Sequence, residues 1–266
     1  MMAENSTSPV IAGIDGSQAA RNAAQWAVDE AVARSVPLRL VYVTKPTHES
    51  NDDYYEDVHR GEAALQDARS AVEATGKDVD VQTAVIDGPP ALALVEQSRE
   101  AALICVGSVG IGRYARSILG STATELAENA LCPVAVIRPS GEHDREINWI
   151  VVAVENAPGN DRVVEQAMRE AELRHAPVLV LGERKAGDAS PDVLDDTVRG
   201  LRRRHPDVHV YPIANKADVA HFLKKHDERV QLAVIAGSAA DELAQIVGRY
   251  GHPVFHHANS SALIVR

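Results

Sequence analysis

Short apolar segments alternate with longer segments of helical periodicity along this chain, and this alternation constrains the fold more than any other feature. The predicted strands of the first half are residues 10–14, 38–43, 79–85, 102–107 and 133–138. The predicted helices between them are residues 17–34, 60–75, 89–100 and 121–131. Because helices separate successive strands, crossover connections join the strands into a parallel sheet.

The second half of the chain repeats the order of the first. Its predicted strands are residues 149–154, 177–181, 208–212, 232–237 and 262–266. Aligning Pro37 with Pro177 sets an offset of 140 residues, and at that offset Glu30 falls on Glu170. An internal duplication is the simplest explanation of this match in order and spacing.

The duplication predicts two α/β domains of modest size, which suits a chain of 266 residues. We predict one domain at residues 1–144 and the other at residues 145–266. The join lies in the polar, turn-rich stretch 139–146. Residues 45–60 are interpreted as a long mobile loop after the second strand, and residues 183–192 hold the same place in the second copy.

Charge and hydropathy exclude several classes of function. The net charge of −11 argues against a surface that neutralises nucleic-acid phosphates or an anionic membrane. No apolar run reaches the roughly 18 residues of a membrane span, and the polar start lacks the features of a secretory signal. Cys105 and Cys132 both lie in apolar segments, which favours buried thiols in a reducing compartment. We therefore predict a cytoplasmic protein.

A glycine-rich stretch after the fourth strand predicts an anion site. Gly107 ends the strand and Gly110 follows it, and after nine intervening residues Gly120, Ser121 and Thr122 open a helix. Glycines permit close approach of the backbone to a phosphate, and they also permit positive φ. The N-terminus of a helix presents unpaired N–H groups and the positive end of the helix dipole.

Other interpretations of this stretch remain. Thr122 and Glu125 fit a capping box, so the helix could simply be well capped. Residues 110–115 match the form GxGxxG/A of a dinucleotide site, but they follow the fourth strand and lack an acidic ribose partner. The patterns of a Walker loop and of a hydrolase nucleophile elbow are absent. Arg113 and Arg116 in the intervening loop would add positive charge beside a bound anion.

Asp15 is the second candidate residue, at the carboxyl end of the first strand. It precedes Gly16 and Ser17, so it could be an ordinary turn aspartate beside a helix cap. Ligands of open α/β sheets bind at the carboxyl ends of strands, where the strand order reverses. If the first and fourth strands are neighbours, Asp15 faces the loop after Gly107 across that crevice.

These residues resemble the universal stress protein family, in its ATP-binding branch. The signature of that family is G-2x-G-9x-G-[S/T], and Gly107, Gly110, Gly120 and Ser121 reproduce it in full. Residues 10–17 are also similar to the family's first strand and its acidic residue. The resemblance covers nearly the whole chain and looks like the tandem members found in actinobacteria, including mycobacteria. The nucleotide motif covers the first copy alone.

The resemblance implies both a fold and a ligand. The implied fold is two tandem Rossmann-like domains of the adenine nucleotide alpha hydrolase type, each a parallel sheet of order 3-2-1-4-5 flanked by helices. The implied ligand is ATP in the first domain, with the adenosine near Gly13 and Asp15 and the adenine beside Val43. The implied contacts to the ribose and phosphates are Val106, Gly107, Gly110, Gly120, Ser121 and Thr122. A divalent ion such as Mg²⁺ often accompanies the phosphates in this family, and the nucleotide would largely hold it here.

The second copy departs from the signature. Ala240 stands where the first copy has Gly110, and the interval from Gly237 to Gly248 is 11 residues rather than 13. Arg249 replaces the serine of the motif, and Glu155 replaces Asp15. We interpret the second copy as a degenerate domain that contributes stability or a binding surface.

Histidines and a basic run in the second half do not indicate a metal or nucleic-acid site. His252, His256 and His257 have helical spacing, but no nearby carboxylate or cysteine completes a ligand set. The run Arg202–Arg204 is interpreted as a solvated helix face on an acidic chain.

Three functions are compatible with these features. We predict a regulatory protein of the stress response that binds an adenine nucleotide in its first domain. The alternatives are a slow ATPase, for which no general base is evident, and an interaction scaffold whose pocket is empty or accepts a cyclic nucleotide. At most weak ATP hydrolysis is expected.

The last strand of each copy predicts assembly. Residues 133–138 and 262–266 are apolar, and an apolar sheet edge is usually covered. By resemblance to the family, we predict that these strands pair within the chain as a pseudo-dimer, and that two chains form a homodimer.

Overall fold

The computed structural model describes residues 8–110, 119–138, 148–183, 193–214, 217–226, 229–247 and 260–266. The chain divides into two compact units, unit 1 at residues 1–140 and unit 2 at residues 141–266. The predicted boundary at residues 144 and 145 lies outside the described residues.

Unit 1 contains five strands and four helices among its described residues. The strands are β1 (Val10–Ile14), β2 (Leu38–Thr44), β3 (Val81–Asp87), β4 (Leu103–Gly107) and β5 (Val134–Ile137). The helices are α1 (Gln18–Arg34), α2 (Asn51–Glu73), α3 (Pro90–Gln97) and α4 (Ser121–Asn129). The order β3-β2-β1-β4-β5 is parallel throughout, as predicted.

The order of strands in unit 1 creates the crevice that a ligand needs. From β1 the chain crosses to β2 on one side, and β4 pairs with the other side of β1, with Val10 opposite both Leu38 and Leu103. The connections that leave the carboxyl ends of β1 and β4 therefore diverge to opposite faces of the sheet. Helices α1 and α2 contact each other on one face, and α3 and α4 contact each other on the opposite face.

Unit 2 has the same strand order. Its strands are β6 (Trp149–Ala153), β7 (Val178–Gly182), β8 (Val210–Ala214), β9 (Val230–Ala236) and β10 (Ser261–Val265). Its described helices are α5 (Asn160–Arg174), α6 (Val193–Arg204), α7 (Val219–Lys225), a 3₁₀ helix (Gly237–Glu242) and α8 (Leu243–Val247). Within this unit β8, β7, β6, β9 and β10 follow one another in parallel pairing. The predicted pairing of the last strands of the two copies stays a prediction.

A buried ion pair marks the duplication. Glu30 of α1 has no solvent exposure and pairs with Arg34 one turn later. Glu170 of α5 is 1% exposed and pairs with Arg174 at 2.9 Å. A buried carboxylate needs a partner, because desolvation of a charge is costly. The same ion pair occurs at equivalent positions of the two copies, which supports the offset of 140 residues.

The predicted mobile loop at residues 45–60 is wrong over most of its length. Helix α2 begins at Asn51, nine residues before the predicted start. Ser50 caps it by accepting a hydrogen bond from the Asp53 amide, and acidic residues in the first turn suit the helix dipole. Asp57, which reads as a loop residue in the sequence, is 1% exposed and anchors the helix to β2. The corresponding segment of the second copy lies almost wholly outside the described residues.

The cores of both units consist mainly of aliphatic side chains, and the alanines of α1 are buried. Cys105 and Cys132 are both buried, as predicted. Among the described residues, no helix combines the length and the apolar character needed to cross a membrane.

Candidate nucleotide site

Asp15 leaves the carboxyl end of β1 and is held in a turn. Its Oδ1 accepts a hydrogen bond of 2.9 Å from the Ser17 amide, and Ser17 in turn caps α1 by accepting from the Ala20 amide at 3.1 Å. The turn interpretation of Asp15 is therefore correct locally. It does not exclude a binding role, because the turn fixes one carboxylate oxygen and thereby orients the other.

The other oxygen of Asp15 lies against Gly110, in the loop after β4. A Cβ atom built on Gly110 would be 2.5 Å from Oδ2 of Asp15, closer than any real side chain permits. The structure therefore brings the two sequence-predicted features together, across the crevice between β1 and β4.

The two halves of the glycine motif also meet. The Gly120 amide donates a 2.8 Å hydrogen bond to the Ser108 carbonyl, and a Cβ on Gly120 would be 4.0 Å from the Gly110 nitrogen. Gly110 and Gly120 are thus neighbours in space, although nine residues separate them in sequence. Of these nine, residues 111–118, which include Arg113 and Arg116, lie outside the described residues.

The N-terminus of α4 presents its first-turn amides without a side-chain cap in the described part of the chain. Gly120 is the N-cap residue and makes no side-chain hydrogen bond, and Ser121 and Thr122 form the first turn. The alternative interpretation as a capping box does not hold, because Thr122 lies inside the helix and Glu125 accepts a hydrogen bond from Asn129 at 2.9 Å. No acidic residue occupies this first turn. Such an end favours an anion.

The three glycines of the motif have different physical roles. None of them adopts the left-handed region, so positive φ does not explain their presence. A Cβ on Gly107 would be 2.7 Å from the Ala19 backbone carbon, so this glycine lets α1 pack closely on β4. Gly110 instead leaves room for Asp15, whereas a Cβ on Gly120 would make only ordinary contacts, the nearest at 3.6 Å from the Ser108 carbonyl oxygen.

Gly13, Val43 and Val106 are the remaining residues that the resemblance implies. They face the side of the sheet opposite to the one on which Gly107 meets α1. A Cβ on Gly13 would be 3.0 Å from Leu94 of α3 and 3.1 Å from Val106 of β4. Gly13 pairs in register with Val41, and strand alternation puts Val43 on the same face, nearer the carboxyl end of β2. Val43 is partly exposed there.

A buried polar cluster at the carboxyl end of β2 escaped the sequence analysis. Burial raises the pKa of Asp57, but hydrogen bonds from the Lys45 amide, His48 and Tyr42 outweigh it, and the net pKa lies below its ordinary value of 3.8. Burial, followed by the Asp57 carboxylate, raises the pKa of Tyr42 above 10.0. The sequence signal that could have indicated this contact is Gly61, a glycine inside a helical segment. In the structure, a Cβ on Gly61 would be 2.5 Å from a carbon of the Tyr42 ring.

The corresponding edge of unit 2 is acidic. Burial, followed by the charges of Asp218, Asp241 and Glu155, raises the pKa of Glu242 above its ordinary value of 4.5. These carboxylates surround the carboxyl ends of β6 and β9, where unit 1 has the glycine crevice. A polyphosphate would meet repulsion there.

In unit 2, strand pairing places the glycine after β9 one residue away from the position that Gly107 occupies in unit 1. Gly107 pairs with Ile137, the last residue of β5, and Ala236 pairs with Val265, the last residue of β10. Ala236 therefore occupies the position of Gly107, and Gly237 comes one residue later than the sequence alignment predicts. A Cβ on Gly237 would be 2.7 Å from the Arg266 guanidinium, so a side chain already fills that space.

A separate cleft of about 870 Å³ lies at the amino ends of the strands in unit 2. Trp149 and Tyr211 line it in an edge-to-face pair with ring centroids 5.3 Å apart. The C-terminal turn of α5 and the acidic residues Glu172 and Asp207 also line it. Arg174, His175 and His209 line it as well, and it differs from the unit 1 crevice in lying at the amino rather than the carboxyl ends of the strands.

Among the described residues, no group of three or more His, Cys, Asp or Glu side chains could hold a metal ion. The three histidines singled out near residue 255 lie outside the described residues.

Comparison with known proteins identifies the family. The profile described as "Universal stress protein family" matches residues 7–138. Universal stress protein Rv2624c of Mycobacterium tuberculosis is 56% identical over 260 residues, which cover 97% of this chain and 96% of that protein. Universal stress protein Rv2028c of the same organism is 35% identical over 96% of this chain and 95% of its own length. The chain belongs to the universal stress protein family.

A solved structure supports the fold over both units. The crystal structure of a universal stress protein from Archaeoglobus fulgidus matches with a TM-score of 0.69 and covers 98% of this chain and 96% of its own. The sequence identity is 14%, so this likeness concerns the fold alone.

Proposed function

We propose that this universal stress protein binds one ATP molecule in unit 1 and acts as a nucleotide-dependent regulatory protein. The observation that carries the proposal is the convergence of Asp15, Gly110 and Gly120 at one crevice. Oδ2 of Asp15 lies 2.5 Å from the position that a Cβ of Gly110 would take, and Gly120 bonds to the same loop.

The chemistry of the crevice divides between two kinds of group. The uncapped end of α4, with the Ser121 and Thr122 hydroxyls, suits the phosphates. Asp15 is an acceptor and repels phosphate, so it suits a hydroxyl or amino group of the nucleoside. The partly exposed Val43 and the buried Val106 offer apolar contact for the base and the ribose.

A divalent cation fits this site only as a companion of the nucleotide. Asp15 places a carboxylate against Gly110, and no group of three or more His, Cys, Asp or Glu among the described residues could hold a metal ion. Mg²⁺ readily keeps water ligands and binds through phosphates plus one or two protein groups. Phosphate oxygens would therefore supply most of its coordination here.

The acidic edge of unit 2 supports a stoichiometry of one. Four carboxylates, the displaced glycine and the Arg266 side chain replace the features that would accept phosphates. Unit 2 thus contributes its fold but no second ATP site.

The test is the nucleotide content and the binding stoichiometry of the purified full-length chain. Extraction with acid and chromatography should release an adenine nucleotide, and calorimetry should give one ATP site per chain. Two equivalent sites would contradict the assignment to unit 1, and a preference for a cyclic nucleotide would favour a scaffold function. Steady phosphate release at turnover rates would favour an ATPase instead.

A further inference from the structure

A buried carboxylate ties the loop after β2 to helix α2 in unit 1. Asp57 is 1% exposed and accepts hydrogen bonds from the Tyr42 hydroxyl at 3.0 Å and the Lys45 amide at 2.8 Å. His48 Nε2 lies 3.1 Å from Oδ2, and Arg60 donates to Oδ1 at 3.0 Å. Four donors from the strand, the loop and the helix thus converge on one group.

This arrangement exceeds what packing requires. An isolated buried carboxylate is costly, and an apolar residue of similar size would pack α2 on β2 at lower cost. What a carboxylate adds is direction, because its Oδ2 atom fixes both the Lys45 amide and the His48 ring, while its Oδ1 atom accepts from Tyr42 and Arg60. The two groups on Oδ2 belong to the loop that joins β2 to α2, so Asp57 sets the conformation of that loop.

The Tyr42 ring makes the anchor rigid. The ring lies directly on Gly61 of α2, where a Cβ would be 2.5 Å from a ring carbon. Its hydroxyl reaches Asp57 one turn earlier on the same helix. The end of β2 is therefore fixed to α2 by both shape and charge.

The anchored loop starts beside the candidate nucleotide site. Ile14 of β1 pairs in register with Tyr42, so Asp15 and Val43 follow on adjacent strands at the same edge. Residues 45–50 continue from that edge. His48 in this loop packs its ring edge-to-face with Tyr54, with centroids 5.2 Å apart.

Asp57 also selects the chemistry of His48. A carboxylate only accepts hydrogen bonds, so the Nε2–H of His48 donates to it. In the neutral ring this leaves Nδ1 as an acceptor. The side chain is largely buried, with 12% exposure, and its orientation is set by Asp57 on one side and Tyr54 on the other.

We propose that Asp57 is a positioning residue of the nucleotide site: it holds the 45–50 loop, with the His48 ring, as the wall against the base of the nucleotide. This inference rests on the proposed function. The resemblance already implies the base beside Val43 of β2, and the new element is the role of Asp57 in holding the loop that continues from this strand.

In unit 2, the interface between β7 and α6 corresponds to that between β2 and α2, but the large and small residues are exchanged between strand and helix. Gly182 ends β7 at the offset position of Tyr42, and Leu194 of α6 fills the space, 3.0 Å from where a Cβ would lie. The large residue comes from the helix and the small one from the strand. Unit 2 therefore lacks the tyrosine on which the anchor of unit 1 depends.

The test compares Asp57→Asn with Asp67→Asn in the full-length protein. Asp67 is an exposed carboxylate on the same helix, so its variant controls for the loss of one charge. Calorimetry with ATP, ADP, AMP and adenosine gives four dissociation constants for each protein. Hydrogen exchange of the amides in residues 45–49 reports the order of the loop, and thermal unfolding verifies the fold.

We expect Asp57→Asn to raise all four dissociation constants by the same factor, about tenfold, if the ordered loop falls to about one tenth of its population. Loop amides should exchange faster, while Asp67→Asn should stay within about twofold of the parent protein. His48→Ala, which leaves the other three donors on Asp57, should weaken binding uniformly by a smaller factor, about threefold.

Faster loop exchange with unchanged dissociation constants would overturn the positioning role while the proposed function stands. A loss confined to ATP and ADP would also overturn it, because the base is common to all four ligands. If Asp57→Asn fails to fold, an unchanged affinity of His48→Ala for all four ligands would overturn the proposal that the 45–50 loop contacts the base. Absence of binding by the parent protein would overturn both proposals, and the exchange data would then describe only a structural anchor.

Discussion

Units 1 and 2 share a strand order and a buried ion pair, but the carboxyl ends of their first and fourth strands carry different chemistry. In unit 1, Asp15, Gly110 and the uncapped end of α4 surround a narrow crevice. In unit 2, Glu242 and its acidic neighbours occupy the same edge, and a 3₁₀ helix follows β9 directly.

This difference shows which parts of a duplicated fold can diverge separately. The inner strands of each unit are buried on both faces and must stay apolar to form the core. The turns at their carboxyl ends contribute little to the core, so their residues can change without loss of the sheet. A shared architecture therefore does not imply a shared site.

The largest expected effect is on ATP binding by Gly110→Val. The added side chain would displace Asp15 and fill the crevice, so we expect at least about a hundredfold loss of affinity. The fold should persist, because Gly110 is exposed and its backbone is not in the left-handed region. Calorimetry and circular dichroism measure the two quantities.

Gly237→Ala in unit 2 is the matched control for this variant. Its Cβ would meet the end of the flexible Arg266 side chain, which can move. ATP affinity should not change. Equal losses from the two substitutions would remove the distinction between the units.

The next effect concerns stability rather than binding. Gly107→Ala would place a Cβ 2.7 Å from the backbone of α1, which cannot move without repacking. We expect a loss of about 1–3 kcal/mol in the free energy of unfolding of unit 1, with or without nucleotide. Hydrogen exchange resolved by unit measures it, and unchanged protection in unit 1 would contradict the structural role of this glycine.

Acid should weaken unit 1 through Asp57. Its pKa in the folded protein lies below the ordinary 3.8, so the unfolded chain binds the proton first. The stability from Asp57 is therefore present above pH 3.8 and is lost as the pH falls through the folded pKa. The measurement is the hydrogen-exchange protection of unit 1 amides as a function of pH. In Asp57→Asn, this part of the acid dependence should be absent.

The smallest effect has the opposite sign and lies in unit 2. The folded pKa of Glu242 is above 4.5, so unit 2 loses stability as the pH rises through the window above that value. Glu242→Gln should therefore stabilise unit 2 at neutral pH, by less than about 1 kcal/mol. The exposed neighbour Asp241 provides the control Asp241→Asn, which should have a weaker effect. A destabilised Glu242→Gln variant would show that the cluster is not repulsive.

The sequence predicted the strands of both units to within two residues at almost every boundary. It also predicted that Asp15 and the glycine motif meet, because the strand order of a parallel α/β sheet places them at one edge. It failed at α2, since the polar residues before position 60 lack the apolar periodicity that predicts a helix. The burial of Asp57 depends on Tyr42 of β2, which is distant in sequence.

The sequence by itself determined the duplication, the parallel sheets and the candidate phosphate motif, because periodicity and spacing are local properties of the chain. The tertiary structure alone decided what each glycine does. Gly107 serves helix packing and Gly110 serves the crevice, a distinction that depends on atoms from α1 and from Asp15. Only the folded chain also brings Tyr42, His48 and Asp57 together, because hydrogen bonds and close contacts between distant segments exist only once the sheet has formed.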